Sequence, residues 1–172
     1  IGVALDSSNN VYVTDEGNHR VQKFTSTGTF ITKWGSFGSL AGEFNLPDGV
    51  ALDSSNNVYV ADRDNGRIQK FTSTGTFLFM WGFGVKTGTA VFETCTSGCQ
   101  AGIFGSGDGQ LNNPVGVALD SSNNVYVTDA GNHRVQKFTS TGTFITKWGS
   151  FGGGDGQLNG PTGIAVDSSN NV

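Results

Sequence analysis

A carboxylate and a guanidinium stand five residues apart at three places in this chain: Asp15 with Arg20, Asp62 with Arg67, and Asp129 with Arg134. Such a pair can hold a ligand or take part in acid–base work, or it can form an ion pair that locks a turn or bridges neighbouring elements. Two histidines, His19 and His133, occupy equivalent positions beside two of the pairs. A catalytic zinc site needs three protein ligands, so two histidines fall short of one. Cys95 and Cys99 sit in Cys-Thr-Ser-Gly-Cys-Gln. They either close a short disulfide loop, which fits an oxidising compartment, or remain free thiols. No second Cys or His pair is at hand to complete a metal site with them. Gly105-Ser106-Gly107-Asp108-Gly109 and Gly153-Gly154-Asp155-Gly156 faintly resemble calcium-binding glycine repeats, but without the required period. They read as tight loops, and no cofactor is expected.

The reason the pairs recur is that the chain repeats. Gly2 to Ser36 returns at Gly116 to Ser150 with one change, Glu16 to Ala130. A third copy starts at Gly49 and a fourth at Gly163, so the starts are separated by 47, 67 and 47 residues. A unit that cannot bury its own apolar face must stack on neighbours, which predicts a ring or an array. A pair carried by every copy is also better explained by structure than by one bespoke active site.

Composition agrees. Glycine reaches 27 of 172 residues and proline only 3, with no Gly-X-Y period, so collagen is excluded and many tight turns are implied. The formal charge is −4, and the ten Lys plus Arg are spread singly. No basic stripe forms, which argues against a nucleic-acid or anionic-membrane surface. Apolar runs are too short to span a membrane as a helix.

One copy can be read element by element. Gly2–Asp6 is a short apolar strand, Ser7–Asn10 a turn, Val11–Asp15 an alternating strand and Glu16–His19 a second turn. Arg20–Phe24 alternates again, Thr25–Gly28 turns the chain back, and Thr29–Gly35 is a fourth strand ending near Trp34. Trp81 and Trp148 recur at the same place. This spacing suits packing between repeats better than a ligand platform. Both faces of such a four-stranded meander carry apolar residues, so sheets must lie on either side. Radial stacking achieves this and protects the edges.

The string Asp15-Glu16-Gly17-Asn18-His19-Arg20-Val21-Gln22-Lys23-Phe24 resembles the NHL repeat, and Asp129 to Phe138 repeats it. Asp62 to Phe71 is a looser match, with Gly66 where the histidine would stand. Pro47, Pro114 and Pro161 each lie two residues before the glycine of a Gly-(Val/Ile)-Ala-(Leu/Val)-Asp string, which is equally typical. The resemblance implies an all-β propeller of four-stranded antiparallel blades, usually six to a ring. The blades fall at about 1–46, 47–113, 114–160 and, in part, 161–172, with an inserted loop over about 83–105. It also brings to mind zinc-holding propeller lyases, which the two histidines do not satisfy.

An up-and-down meander places the second-to-third turn and the interblade connector on one face. The opposite turns, Asp-Ser-Ser-Asn-Asn and Thr-Ser-Thr-Gly-Thr, are unchanged in all three full copies. Variation gathers on the first face, so Glu16, Arg63, Asp64, Phe92, Glu93 and Asp108 are the candidate ligand-binding residues. Three blades and the start of a fourth do not close a ring. Two chains related by a twofold axis, or a longer parent chain, would do so. The expectation is a non-enzymatic, extracytoplasmic binding or scaffold module with a protein, peptide or glycan partner. The alternatives are a metal-dependent propeller lyase or hydrolase and a purely structural repeat.

Overall fold

The computed structural model describes all 172 residues and is built of three antiparallel sheets. The first holds β1 (Val3–Leu5), β2 (Val11–Asp15), β3 (Arg20–Phe24) and β4 (Phe30–Trp34) in chain order. The second holds β5 (Pro47–Leu52), β6 (Val58–Asp62), β7 (Arg67–Phe71), β8 (Phe77–Phe83) and a fifth strand, β9 (Phe92–Cys95). The third holds β10 (Pro114–Leu119), β11 (Val125–Asp129), β12 (Arg134–Phe138) and β13 (Phe144–Trp148). Equivalent strands pair in the same register, as Asp15↔Arg20, Asp62↔Arg67 and Asp129↔Arg134 show.

The fifth strand departs from the four-stranded expectation. Part of the insertion folds back along β8, which lengthens to Phe83, and Met80 pairs with Cys95 and Phe83 with Phe92. The fourth copy, from Gly163, forms no strand. In the full copies the first strand pairs with the second, as Val3 does with Val13, and the fourth copy has only Val172 of such a second strand.

The apolar side chains form cores between sheets. Tyr12, Val21 and Phe44 meet Val50, Val58, Val60 and Phe71 across the first junction. Tyr59, Ile68 and Trp81 meet Val117, Val127 and Phe138 across the second. Trp34 and Trp81 each lie on the Thr-Ser-Thr-Gly-Thr turn of the next sheet. A Cβ on Gly75 would stand 2.6 Å from the Trp34 indole, and one on Gly142 2.8 Å from Trp81, so glycine is required there. The first strands converge even more tightly. A Cβ on Gly2 would lie 2.6 Å from the Asp48 carbonyl, and the same clash recurs between Gly116 and Thr162 at 2.4 Å. These strands line an axial cavity of about 400 Å³.

The invariant turns are invariant because they are saturated. Asp6 Oδ1 accepts the Ser8 and Asn10 N–H groups, and Oδ2 accepts from the Asn10 amide, Tyr12 Oη and Lys23 Nζ. Asp53 and Asp120 repeat the arrangement with Lys70 and Lys137. The turns also tie sheets together, since Ser7 N–H donates to Asn56 and Tyr12 Oη to the Ser73 carbonyl.

Burial alone would raise the Asp6 carboxyl. The Asn10 amide and N–H, Lys23 and the Ser8 N–H outweigh it and bring the group down to about 2, below the ordinary 3.8. Asp120 is likewise brought to about 2, where Asn124, Lys137 and Ser122 outweigh its burial. A depressed carboxyl contributes stability above its unfolded pKa and loses it as the pH falls through the folded one. Thermal melts should therefore show Tm constant above pH ~5 and falling between about pH 4 and 2, with Asp120→Asn less acid-sensitive than the parent. A Tm flat across that window would contradict this account.

Candidate functional site

In the second and third blades the carboxylate–guanidinium pair sits where the second hairpin meets the connector from the preceding blade. A single 3-10 turn, Arg63–Asn65 in the second blade, follows β6 and delivers Gly66 in the left-handed region at φ +58°. The turn reverses the chain so that Asp62 and Arg67 pair across the ladder. Asp62 Oδ2 accepts from Arg67 Nε at 2.7 Å, Asn65 Nδ2 at 2.9 Å and Gln69 Nε2 at 3.0 Å. Asp62 Oδ1 accepts the Asn45 N–H of the incoming connector.

The guanidinium then grips that connector. Arg67 donates to the carbonyls of Ser39, Leu40 and Glu43, at 2.6 to 2.9 Å, and to Gln100 of the insertion at 2.8 Å. Gln69 takes the Gly42 N–H and donates to the Glu43 carbonyl. The third blade repeats this. Asp129 accepts from Arg134 at 2.7 Å and from the Asn112 N–H, and Arg134 donates to the carbonyls of Ser106, Gly107 and Gln110. Both side chains of the Asp62–Arg67 pair are fully buried, whereas Arg20 is 28% and Asp15 22% exposed. In the first blade Arg20 reaches only Asp15, at 2.7 Å.

The histidines serve the same joint. His19 Nδ1 accepts the Leu46 N–H and His133 Nδ1 the Gly160 N–H, and their rings pack on Phe37 and Phe151. In the second blade the position is Gly66, where a Cβ would stand 3.0 Å from the Phe104 ring. Phe37, Phe104 and Phe151 are equivalent connector residues and all remain exposed.

The six candidate binding residues do not form one site. Glu16, Arg63 and Asp64 come together: Arg63 pairs with Glu16 at 2.8 Å, Asp48 at 3.1 Å and Asp64 at 3.2 Å, and these carboxylates hold its pKa up against the desolvation that lowers it. Asp48 belongs to this cluster although the sequence reading passed over it. The signal was present, since Asp48 replaces the Val115 and Thr162 of the other copies. Phe92 stacks on Phe138, 6.2 Å between centroids, inside the junction of the second and third blades. Glu93 caps its own loop, accepting from the Lys86 and Thr87 N–H groups and the Thr87 hydroxyl. Asp108 pairs with Lys147 on β13 at 2.7 Å.

Cys95 and Cys99 form a disulfide, buried with Met80 and Val85. Trp34 and Trp81 are packed at the two junctions with no partner for their indole N–H, and Trp148 on the last blade is 40% exposed. The axial cavity is lined by backbone, by Gly2, Gly49, Gly116 and Gly163, and by apolar side chains, with Asp48 its one carboxylate.

Radially stacked antiparallel sheets, their first strands at an axis and their connectors on one face, define a portion of a β-propeller. Three segments, residues 1–24, 44–71 and 111–138, match the NHL repeat, so the chain carries three copies of it. It is 41% identical over 51 residues to Protein brain tumor of Drosophila melanogaster and 48% identical over 46 residues to Protein lin-41 of Caenorhabditis elegans. These stretches cover 30% and 27% of this chain but only 5% and 4% of those proteins. Among solved structures, a protein of unknown function from Bacteroides thetaiotaomicron superposes with a TM-score of 0.64 at 19% identity, over 96% of this chain and 42% of that one. Virginiamycin B lyase from Staphylococcus aureus superposes with a TM-score of 0.58 at 14% identity, over 98% and 45%. At such identities the likeness is one of fold. The chain spans less than half of either structure.

The Asp–Arg sockets differ in consequence. Arg67→Ala strands a buried carboxylate and frees four carbonyls, and should cost roughly 3–5 kcal/mol of unfolding free energy. Arg20→Ala removes one half-exposed pair and should cost under about 1 kcal/mol. Urea unfolding of the two variants in dilute solution checks the contrast, and equal losses would refute it.

Proposed function

We propose that the chain is a non-enzymatic binding module whose recognition surface is the connector face. The observation that carries this reading is where the copies differ. The turns of the opposite face are copied verbatim, and their aspartates and asparagines bond within the turn or to a neighbouring blade. The connector face holds the Glu16–Arg63–Asp48 cluster near the axis, exposed Phe37, Phe104 and Phe151, and the disulfide-braced insertion. Rigid strands beneath variable loops are how repeat proteins diversify recognition. A protein or peptide partner suits a surface of scattered aromatics around a mixed-charge centre, and a glycan is the other candidate.

A propeller lyase or hydrolase is the second reading, favoured by the fold shared with virginiamycin B lyase. A metal-assisted reaction at the axis requires several converging ligands. The axial lining here offers Asp48 and backbone groups, and the histidines spend Nδ1 on connector N–H groups. That weighs for binding. The buried Cys95–Cys99 disulfide suits an oxidising, extracytoplasmic location. A six-bladed ring, completed by a second copy or by further repeats of a longer parent, is the assembly in which this face would be presented.

Peptide and glycan arrays probed with the protein, with Arg63→Glu and with Phe37→Ala/Phe151→Ala should show a ligand retained by the parent and weakened about tenfold or more by either variant, as for a loss near 1.4 kcal/mol. Substitution of Asn56 on the opposite face should leave binding intact. Stoichiometric zinc or calcium in the purified protein, with a chelator-sensitive activity, would overturn the binding reading.

A further inference from the structure

The three connectors follow one plan, and the first departs from it in its chemistry. Leu40-Ala41 stands where the second and third connectors carry Gly107-Asp108 and Gly154-Asp155, and Glu43 stands where they carry Gln110 and Gln157. The local turn is capped alike in all three. Glu43 accepts the Leu40 N–H at 3.0 Å, as Gln110 accepts that of Gly107 and Gln157 that of Gly154, both at 2.9 Å. A neutral amide therefore suffices for the cap, and the charge of Glu43 is surplus to it. Arg67 does not require that charge either, since Asp62 is its ion partner. Leu40 is surplus to the core in the same way, because it is 60% exposed.

The first connector also has a neighbour that the others lack. The insertion brings Gly98-Cys99-Gln100 opposite Leu40-Ala41, and a cleft of about 370 Å³ opens between the two segments. Both walls hang on one guanidinium. Arg67 donates to the Ser39 and Leu40 carbonyls on one side, at 2.6 and 2.9 Å, and to the Gln100 carbonyl on the other, at 2.8 Å. The second wall is braced from behind, where Gln100 N–H donates to the Val85 carbonyl and Cys99 is tied to Cys95 of β9. In the third blade Arg134 grips its connector alone, and that connector reads Gly-Asp. The apolar pair and the surplus carboxylate thus occur where a second wall faces them.

The volume is at the small end for ligand sites, with room for a side chain rather than a folded surface. Ala41 and Gly98, one on each wall, are exposed and keep main-chain N–H and C=O groups that bond nowhere within the chain. An extended backbone is the partner such groups fit. Leu40 with Ala41 calls for an aliphatic side chain, and the carboxylate beside them for a cation.

We propose that this cleft is the specificity pocket of the connector face. It takes an aliphatic side chain of an extended peptide that carries a Lys or Arg close by, with the base facing Glu43. This rests on the binding reading above and gives it a place and a partner chemistry.

Titration of the isotope-labelled protein with short Gly-Ser peptides, followed by amide NMR shifts, tests this. A peptide with one Leu and one nearby Lys should move the Ala41, Gly98 and Gln100 signals saturably, with Kd below about 1 mM. Ser in place of the peptide's Leu, or the double variant Leu40→Gly/Ala41→Asp, should weaken binding about tenfold. That variant copies the other two connectors and should keep the fold, which circular dichroism checks. Glu43→Gln keeps the cap and should remove a preference of about threefold for the Lys peptide over its Glu counterpart. No saturable shift at these amides, or binding indifferent to both variants, overturns the proposal. Shifts confined to Phe37, Arg63 and their neighbours would reject the cleft and leave the binding reading standing. A glycan that moves the cleft amides where no peptide does would overturn the peptide assignment. The arrays with Arg63→Glu test the binding reading separately.

Discussion

The fold depends on a guanidinium that does not face solvent. Arg67 lies wholly within the protein, neutralised by Asp62 and surrounded by carbonyls of the incoming connector and of the insertion. A buried charge is tolerated only when paired and hydrogen-bonded to the limit of its donors. The backbone of a connector is what supplies those acceptors. The second and third blades are therefore not finished by their own residues. In both, the second hairpin is completed by the loop that arrives from the blade before, and the connector, which has almost no regular structure, wraps the arginine. The stacking cores of Tyr12, Phe44 and Phe71 act in parallel with this polar joint, so apolar and ionic contacts enforce the same spacing.

Much of this was legible in the residues. The strand alternation of Val11–Asp15 and Arg20–Phe24, the turn strings and the recurring tryptophans lead to the observed sheets, because each is a local signal repeated three times. The pairing of Asp15 with Arg20 follows from a turn of fixed length. What the sequence reading missed is long-range. A small strand or lip over Thr89–Thr94 was open to the sequence; that it runs Phe92–Cys95 and pairs with a lengthened β8 was not. Asp48 joins Arg63 because β5 pairs with β6, Pro47 opposite Asp62, which sets a strand start beside a turn 15 residues along the chain. Phe92 and Glu93 sit in the most variable stretch, yet one fills a junction and the other caps its own loop. Variation in sequence marked the right face without sorting contact residues from those that brace the loop.

The insertion shows how such a repeat accepts an addition. It enters at the connector, where the chain is least regular, and borrows the existing socket by placing the Gln100 carbonyl on Arg67. Gly102 N–H adds a bond to the Asn65 carbonyl, and the Cys95–Cys99 bridge closes over Met80 and Val85. Where the other copies carry histidine this one has Gly66, and a Cβ on Gly102 of the insertion would stand 2.6 Å from its carbonyl. The second junction also lacks the hydroxyl by which Thr14 links Gly2 to the Asp48 carbonyl, since Ala61 stands in its place. The inserted loop thus accompanies local changes at the joint it overlies.

The first strands meet where glycine faces carbonyl, leaving no room even for a methyl group. Distances at the inner rim act on the molecule as the narrow edge of a wedge acts on an arch. The angle between successive blades follows from the difference between outer and inner spacing divided by the radial width of the sheet. A side chain introduced at Gly49 would thicken the narrow edge and flatten the arc, so that more units would be needed to come full circle. Curvature, and with it the number of repeats a closed assembly can hold, is thereby written into the smallest residue of the repeat.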